Sequence, residues 1–470
     1  MPLEKGMVVK MDNLWILTEE KPKTSVIKQI INLYVKDFGG NIKEYTEIKI
    51  KPIIKDNIFK FYYLVEGISL VNINKIFIKT VSGNSSFLDF LVFRQEEQPE
   101  EKNSDNLIMA IEETKTSDDE SRNTGVYQRA SKFVYIDSYY ADVKKYMLYN
   151  EELEERKEKK PSDTSIFGTN MLLTIGTTII GKDPTRWCKK FESIDDMIYF
   201  KSLMRKPPEG NVPIEITKFE DRIEVSGRLS KPAEAGNIGH DPNIGALSII
   251  SKCLRYLGWN KKIVITKHGV NQEYVTRTKG KNKFLYICKM LNLELEGINI
   301  PSGVSLPEDY WHYEMSSEKM ASILLHIAGE YNGLQEVYQN HAGCERGYFK
   351  TKSNKLLALP KKDKNNVNLY IPDLILYAPK ENEIILVEGK KLSTLNIGLE
   401  EIKNYDSIEN EFIKIYYEGA KIVRWLSIFG GHQQSIPHQE VLIYLNEEGK
   451  IFLNNNAPNS IKRAFNLLNT

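Results

Sequence analysis

Residues 370–390 read YIPDLILYAPKENEIILVEGK, and this pattern predicts the architecture of the C-terminal part of the chain. Residues 370–376 and 383–390 are each apolar enough to form a buried strand, and the residues between them have the Pro-Lys-Glu-Asn sequence of a tight turn. We therefore predict two paired strands. An aspartate opens the first strand, and a Glu-x-Lys sequence closes the second.

The charged residues of these two strands are expected to converge. Side chains alternate across a strand, so Glu388 and Lys390 project to one face, where Asp373 on the paired strand can meet them. Two carboxylates, completed by a backbone carbonyl and waters, suit a hard octahedral cation such as Mg²⁺. Such a cation stabilises charge on a phosphoryl group and activates a water, which the lysine can position or deprotonate. Phosphodiester hydrolysis needs these groups.

The N-terminal part of the chain repeats this pattern in a looser form. Residues 87–93 (FLDFLVF) correspond to the first strand, and residues 107–115 (LIMAIEETK) correspond to the second. Asp89 opens the first strand, and Glu113 is in the natural register for a Glu-x-Lys sequence. The adjacent Glu112 is the alternative metal ligand if the strand contains a bulge.

The C-terminal pattern can be compared with a known family. Pro372-Asp373, a gap of fourteen residues and Glu388-Gly389-Lys390 resemble the motif of the PD-(D/E)xK nuclease superfamily, which includes most type II restriction endonucleases. Both copies of the pattern follow a helix and two or more strands, as the core of that superfamily does, and both precede a helical stretch. The resemblance therefore extends to both ends of the chain.

The resemblance covers about residues 20–140 and 316–430, and it implies two sites. Leu88 stands where the family often has proline. The implied site residues are Asp89, Glu113, Lys115, Asp373, Glu388 and Lys390. In each set the aspartate and the glutamate would bind Mg²⁺, and the lysine would assist the attacking water. The helices that follow can lend a polar side chain in this family, and the candidates are Gln128, Arg129, Lys132 and Lys403.

Two sites in one chain imply a mechanism. One site of this kind cuts one phosphodiester, so two sites serve the two strands of a duplex without any need for two-fold symmetry in the recognised sequence. The resemblance implies an α/β (α+β) protein with two restriction-endonuclease-like mixed-sheet cores and flanking helices. We expect a nuclease unit at 1–150, a middle DNA-binding and recognition region at 151–315, and a second nuclease unit at 316–470. The expected activity is that of a type II restriction endonuclease that cuts double-stranded DNA at a specific, asymmetric sequence.

Composition agrees with a globular protein. The 470 residues include 64 basic and 63 acidic ones, so the net charge of +1 excludes a uniformly basic nucleic-acid coat protein but permits local patches. The four cysteines are scattered singly, which indicates neither a zinc site nor a disulfide framework. No signal-type start and no apolar run of about 18 residues occurs, so we expect a cytoplasmic protein that does not enter a membrane.

Local charge indicates where DNA would bind. The stretch from Arg255 to Lys283 contains eight basic residues against Glu273 alone, which favours phosphate contact, and it offers His268 and Gln272 as base-reading side chains. A second basic patch runs from Lys350 to Lys364. The pattern is compatible with a monomer or a homo-oligomer and with a cognate DNA methyltransferase in the same system.

Two other interpretations stay open at this point. In one, only the C-terminal site is active, and the N-terminal unit serves recognition or dimerisation. In the other, the chain is a non-catalytic DNA-binding protein that uses degenerate nuclease folds as scaffolds.

Overall fold

The structure is a computed structural model that describes residues 11–83, 87–102, 105–114, 125–150, 161–181, 186–205, 214–229, 242–278, 283–313, 317–341 and 347–468. These residues form a mixed α/β protein with several sheets, which confirms the predicted α/β class, whereas the restriction-endonuclease-like cores stay a prediction. Lys115 lies outside the described residues. Within the described ranges, every helix is too short or too polar to cross a membrane.

Strands and helices are numbered in chain order. The strands are β1 (Asn13–Thr18), β2 (Ile42–Lys55), β3 (Ile58–Leu70), β4 (Ile76–Thr80), β5 (Ser82–Gly83), β6 (Phe90–Gln95), β7 (Leu107–Thr114), β8 (Lys144–Tyr149), β9 (Thr178–Ile180), β10 (Glu215–Lys218), β11 (Arg222–Ser226), β12 (Lys262–Thr266), β13 (Glu294–Leu295), β14 (Trp311–His312), β15 (Gln335–Gln339), β16 (Tyr348–Lys350), β17 (Leu356–Ala358), β18 (Leu374–Ala378), β19 (Glu383–Lys391), β20 (Lys421–Phe429), β21 (Val441–Leu445) and β22 (Ile451–Leu453). The helices are α1 (Thr24–Phe38), α2 (Gly125–Ile136), α3 (Asp163–Thr174), α4 (Ile194–Leu203), α5 (Pro242–Tyr256), α6 (Gln272–Thr278), α7 (Lys283–Met290), α8 (Lys319–Tyr331), α9 (Leu395–Glu401), α10 (Asp406–Ile408), α11 (Lys414–Tyr416) and α12 (Asn459–Leu468).

The chain divides into two compact units. Unit 1 comprises Met1–Ser82, Arg94–Pro99 and Tyr313–Thr470, and unit 2 comprises Gly83–Phe93 and Glu100–His312. This division differs from the three consecutive segments 1–150, 151–315 and 316–470 that the sequence led us to expect. Composition and spacing report only local breaks in the chain, whereas a compact unit is defined by contacts between residues that are distant in sequence.

Unit 1 joins the two ends of the chain by backbone hydrogen bonds. The Phe59 N–H donates to the Gly449 carbonyl at 2.8 Å, and the Ile451 N–H donates to the Asn57 carbonyl at 3.0 Å. These bonds connect the turn between β2 and β3 to the turn before β22. Residues 11–82 are therefore part of the same folded unit as the C-terminal segment.

A six-stranded sheet in unit 1 has the order β15-β18-β19-β20-β21-β22. β15 and β18 are antiparallel, as are β18 and β19, whereas β19, β20 and β21 are parallel. Parallel neighbours require a crossover connection, and the helical residues between β19 and β20 provide it. α8 precedes β15, is apolar around most of its circumference and packs on β19, β20 and β21.

Unit 1 contains a second set of strands, with the order β2-β3-β4-β1. β2 and β3 form a long antiparallel hairpin, and β1 and β4 are parallel. α1 follows β1 and buries the apolar face formed by Val26, Ile27, Ile30 and Ile31. The chain between β1 and α1 carries Lys21, which is buried.

Unit 2 contains strands β6, β7, β8 and β9 in that order. β6 and β7 are antiparallel, whereas β7, β8 and β9 are parallel, with α2 and α3 as the crossovers. The strand orientations are those of β18, β19, β20 and β21 in unit 1. A second sheet, β10-β11-β12-β13, follows, and α5 packs on α2 and α3.

Candidate active sites

The first candidate site is formed where β18 begins. Leu374 pairs with Val387, so Asp373, directly before β18, lies opposite Glu388 in β19. The Gly389 N–H donates to Asp373 Oδ2 at 2.9 Å. A Cβ at Gly389 would lie only 3.1 Å from Asp373 Oδ2 and from Ser322 Oγ, so glycine permits the close approach of α8 to this point. The turn and the strand pairing together bring the two carboxylates to one place.

The lysine of this site is held by two carboxylates. Lys390 Nζ lies 2.6 Å from Glu388 Oε1 and 2.8 Å from Glu401 Oε2. Glu401 is the last residue of α9, so the crossover helix contributes to the site. The Tyr405 hydroxyl donates to Glu388 Oε2 and fixes the second oxygen of that carboxylate. The structure thus brings Asp373, Glu388 and Lys390 together.

The ionisation of these groups is strongly coupled to their burial. Burial and the charge of Glu388 raise the pKa of Asp373 to about 7, although the Gly389 N–H opposes the shift. Burial also raises the pKa of Glu388, in spite of the nearby lysine. For Lys390, burial alone would lower the pKa, but Glu388 and Glu401 raise it above its usual value, so the amine stays an ammonium. The site therefore contains more negative charge than its own cation relieves.

This excess charge leads to a stability prediction for Asp373→Asn. The side-chain oxygen of asparagine can still accept the Gly389 N–H, and the loss of the charge removes the repulsion from Glu388. We therefore expect the free energy of unfolding to rise by about 1 kcal/mol in the absence of divalent cations. Because the pKa of the folded protein is raised, the penalty appears as pH rises from about 4 to about 7. The gain in melting temperature, about 2 °C or more, should therefore be present at about pH 8 and absent at about pH 4.

Asp363→Asn is the matched control for this measurement. The Asp363 carboxylate accepts the N–H groups of Asn365 and Val367 and the hydroxyl of Ser407, and these bonds hold its pKa below the usual value. Its replacement should lower the melting temperature at neutral pH. Equal destabilisation by Asp373→Asn and Asp363→Asn would show that the charge of the Asp373 carboxylate does not destabilise the folded protein.

The second candidate site lies in unit 2, where β6 begins. Phe90 pairs with Ile111, which places Asp89 opposite Glu112. The Glu113 N–H donates to Asp89 Oδ2 at 2.7 Å. Lys132 Nζ in α2 lies 2.7 Å from Glu112 Oε1 and 3.5 Å from Asp89 Oδ1. The side chains that meet are therefore those of Asp89, Glu112 and Lys132.

Glu113 is placed differently from the sequence-based expectation. Asn150 Nδ2 donates to Glu113 Oε1 at 2.9 Å, so this carboxylate is directed to the residue after β8. The pleat of β7 explains the difference, because adjacent residues project to opposite faces and Asp89 faces only one of them. The strand pairing shifts between Val92 and Phe93, as in a β-bulge. Lys115 lies outside the described residues, so its predicted role stays a prediction.

Burial again governs the charges of the second site. Burial and the charge of Asp89 raise the pKa of Glu112 to about 8, although Lys132 opposes the shift. Burial would lower the pKa of Lys132, but Asp89 and Glu112 raise it above its usual value. Glu112 is 2% exposed. As in unit 1, a lysine ammonium forms an ion pair with a buried glutamate, and this glutamate lies opposite an aspartate.

Comparison of the chain with protein-family models, with curated proteins and with solved structures finds no match.

A third polar cluster in unit 1 involves residues that sequence reasoning left outside the sites. Ligand atoms of His326, Glu330 and Glu336 lie within 4.8 Å of one another, a geometry that could hold a metal ion. Lys21 Nζ lies among them, 2.5 Å from Glu330 Oε2 and 3.3 Å from Glu336 Oε2. His326 Nδ1 also lies 3.0 Å from His341 Nε2. The lysine ammonium already compensates the two carboxylates, so the cluster is an internal ion-pair network.

The basic stretch in unit 2 is used for structure more than the sequence suggested. Arg255 donates to the carbonyls of Trp259, Lys261, Leu291 and Asn292, which fixes the end of α5. The amide of Gln272 bonds both the N–H and the carbonyl of Asn299. Lys283 is buried, and burial lowers the pKa of its amine to about 8. The polar groups of Arg255 and Gln272 are therefore engaged by main-chain groups and Lys283 is buried, whereas Lys261, Lys262, Lys267 and Arg277 are exposed. DNA contact by this stretch stays a prediction.

The second basic patch, in unit 1, is exposed. It lies between β15 and β18, in the chain that leads directly into Asp373. Its exposed members are Lys352, Lys355, Lys361, Lys362 and Lys364. This patch retains the sequence-based interpretation as a phosphate-binding surface.

Proposed function

We propose that this protein is a Mg²⁺-dependent, site-specific endonuclease of the type II restriction class, which hydrolyses both strands of DNA with one site in each unit. One observation carries the proposal. In both units an aspartate lies opposite a buried glutamate across an antiparallel strand pair. The aspartate accepts a hydrogen bond from the N–H of the residue after that glutamate, and a lysine ammonium donates to the glutamate carboxylate. Two such sets in one chain match the two bonds, one in each strand, that must be hydrolysed to cut a duplex.

The strand order around each site supports the same proposal. An antiparallel pair, a helical crossover and a parallel strand surround both sets, as β18-β19-β20 in unit 1 and β6-β7-β8 in unit 2. In unit 1, α8 and β15 precede this arrangement. The sequence resemblance to the PD-(D/E)xK superfamily implies a helix and strands before the motif and a helix after it.

The residues present fit a magnesium ion. Asp373 and Glu388 offer hard carboxylate oxygens, and burial first, then neighbouring carboxylates, raise their pKa values. A dication would stabilise the ionised form of both groups. In the C-terminal site, these two residues would hold the ion. Bound Mg²⁺ would supply charge stabilisation at the phosphoryl group and a lower pKa for a coordinated water.

The chain's own residues then have distinct tasks. Lys390 stays protonated between Glu388 and Glu401, so it acts as a hydrogen-bond donor that orients a water or a phosphate oxygen and does not act as a base. Tyr405 fixes the orientation of Glu388. In the reaction, the water oxygen forms a bond to phosphorus and the bond from phosphorus to one sugar oxygen breaks. A proton from water passes to the departing oxygen, which leaves one phosphate monoester end and one hydroxyl end.

The exposed lysines before Asp373 provide a surface for the substrate. Lys352, Lys355 and Lys364 carry positive charge in the same unit as the site. Lysines that contact phosphates bind DNA in a sequence-independent and salt-dependent manner. We assign this patch to positioning of the duplex and assign base reading to other residues.

Cleavage of long DNA of known sequence tests the proposal. The purified chain, incubated with Mg²⁺ and a bacteriophage-sized duplex, is expected to give discrete fragments whose ends map to one sequence. Addition of a chelator in excess should reduce cleavage by at least about 10³-fold, because the charged transition state then lacks its main stabilisation. Intact DNA with both Mg²⁺ and Mn²⁺, over a substrate that contains all short sequences, would reject the proposal and favour a non-catalytic DNA-binding protein.

A further inference from the structure

The strand registers of the two sites allow a residue-by-residue comparison. Phe90 pairs with Ile111 in unit 2, and Leu374 pairs with Val387 in unit 1. Next to each of these pairs, an aspartate lies opposite a glutamate: Asp89 opposite Glu112, and Asp373 opposite Glu388. The aspartate Oδ2 accepts the N–H of the residue after that glutamate, at 2.7 Å in unit 2 and at 2.9 Å in unit 1. Glu112 therefore corresponds to Glu388.

This register places threonine where the first site has its lysine. Lys390 follows Glu388 by two residues and lies on the same face of its strand. The residue two after Glu112 is Thr114, which is buried and carries no charge. Glu113 projects to the other face, where Asn150 binds its carboxylate. The strand β7 thus lacks a cation at the position that corresponds to Lys390.

A lysine from the crossover helix supplies the missing charge. Lys132 Nζ lies 2.7 and 2.8 Å from the two oxygens of Glu112, compared with 2.6 Å between Lys390 Nζ and Glu388 Oε1. Its 3.5 Å distance to Asp89 Oδ1 places the ammonium beside both acids. The Lys132 side chain is 23% exposed, whereas that of Glu112 is 3% exposed.

We propose that the second nuclease centre consists of Asp89, Glu112 and Lys132, with Glu112 as the metal ligand and the lysine supplied by α2 in place of the strand lysine of the first centre. The assignment rests on the proposed function. It makes Lys115 and Glu113 dispensable for cleavage. It also makes a chemical prediction, because a lysine moved back onto the strand should substitute for the one on the helix.

The decisive experiment combines loss and rescue of the lysine. Duplexes labelled separately on each strand are cut by the parent chain, by Lys132→Met, by Lys115→Ala and by the double variant Lys132→Met/Thr114→Lys. We expect Lys132→Met to slow cleavage of one strand by roughly 100-fold with the other strand unchanged. Lys115→Ala should stay within about twofold of the parent, and the double variant should regain at least about tenfold on the affected strand. Equal cleavage of both strands by Lys132→Met, or loss of one strand in Lys115→Ala, would overturn the assignment.

Metal binding separates this inference from the proposed function. Titration with Mn²⁺ in a calorimeter, without DNA, should show two sites in the parent, one in Glu112→Gln and two in Glu113→Gln. Thermal unfolding of each variant shows whether a loss reflects misfolding. If the parent cuts no DNA, the nuclease proposal fails, but the Mn²⁺ counts still decide the ligand. One site in Glu113→Gln and two in Glu112→Gln would reject the assignment of Glu112.

Discussion

Replacement of Lys390 by alanine is expected to convert the protein into an enzyme that nicks DNA. Lys390 Nζ lies between Glu388 and Glu401 at 2.6 and 2.8 Å, and the methyl group of alanine cannot orient a water or a phosphate oxygen there. Loss of one such donor typically costs a factor of about 10²–10³ in rate. The site in unit 2 is unchanged by this substitution. Nicked circles should therefore accumulate from supercoiled plasmid, with one labelled strand intact.

The matched control is Lys403→Ala in the same crossover region. Lys403 also forms an ion pair, 2.7 Å from Glu400 Oε1, but its side chain is 64% exposed. An exposed pair of this kind contributes about 0.2–1 kcal/mol or less, so both strands should be cut at the parental rate. If Lys390→Ala cuts both strands as fast as Lys403→Ala does, Asp373, Glu388 and Lys390 are not a catalytic site. The proposed function would then lose its main support.

The strands around Lys390 were accessible from the sequence for a simple reason. The apolar runs in residues 370–376 and 383–390 are consecutive and separated by a turn, and the structure forms β18 and β19 there. A short antiparallel hairpin fixes its own register by local geometry. The proximity of Asp373 and Glu388 follows from that register. Nothing distant in the sequence had to be known.

The second site shows where such reasoning ends. Glu112 and Glu113 are neighbours of the same type, and only the pairing of β7 with β6 decides which of them faces Asp89. Lys132 comes from a helix whose rotation about its own axis is set by packing on α3 and α5, which local spacing does not reveal. The sequence named Lys132 only as one of several polar residues on that helix. A Glu-x-Lys pattern drew attention to Lys115, which follows the strand in sequence.

Charge density in residues 255–283 did not reveal which basic residues are engaged inside the protein. A count of basic residues cannot distinguish an exposed lysine from an arginine such as Arg255, whose guanidinium binds four main-chain carbonyls. These carbonyls lie in the segments that follow α5 and α7, and the guanidinium supplies hydrogen-bond donors to them. The lysines of the patch before Asp373 are exposed, and phosphate binding by this patch stays a prediction.

The second large effect is expected from Lys21→Met. Lys21 is only 6% exposed at its side chain, and its ammonium compensates Glu330 and Glu336. The neutral methionine fills similar volume but leaves the two carboxylates facing each other beside His326, 3.1 Å from Glu336 Oε2. Removal of one partner from a buried charge network costs about 3–5 kcal/mol. Denaturant unfolding at neutral pH should show this loss.

The pH dependence of unfolding tests the same network with a defined sign. Burial would raise the pKa of Glu330, but Lys21 and His326 lower it from 4.5 to about 2, and the same groups hold the pKa of Glu336 well below its usual value. Because these folded-state pKa values are lowered, the stabilisation is complete above about pH 4.5 and is lost as the pH falls towards about 2. In Lys21→Met the carboxylates lose their main cation. The steep loss of stability of the parent between these pH values should therefore flatten in the variant.

Two further variants decide whether charge compensation is the cause. Lys102→Met removes a lysine that is 67% exposed and paired with the exposed Glu308, and it should leave the denaturation midpoint close to that of the parent. Addition of Glu330→Gln and Glu336→Gln to Lys21→Met removes the uncompensated charges and should recover most of the lost stability. If the triple variant stays as unstable as Lys21→Met, the loss comes from packing of the lysine stem. If Lys21→Met itself lies within about 1 kcal/mol of the parent, charge compensation by Lys21 does not stabilise this network.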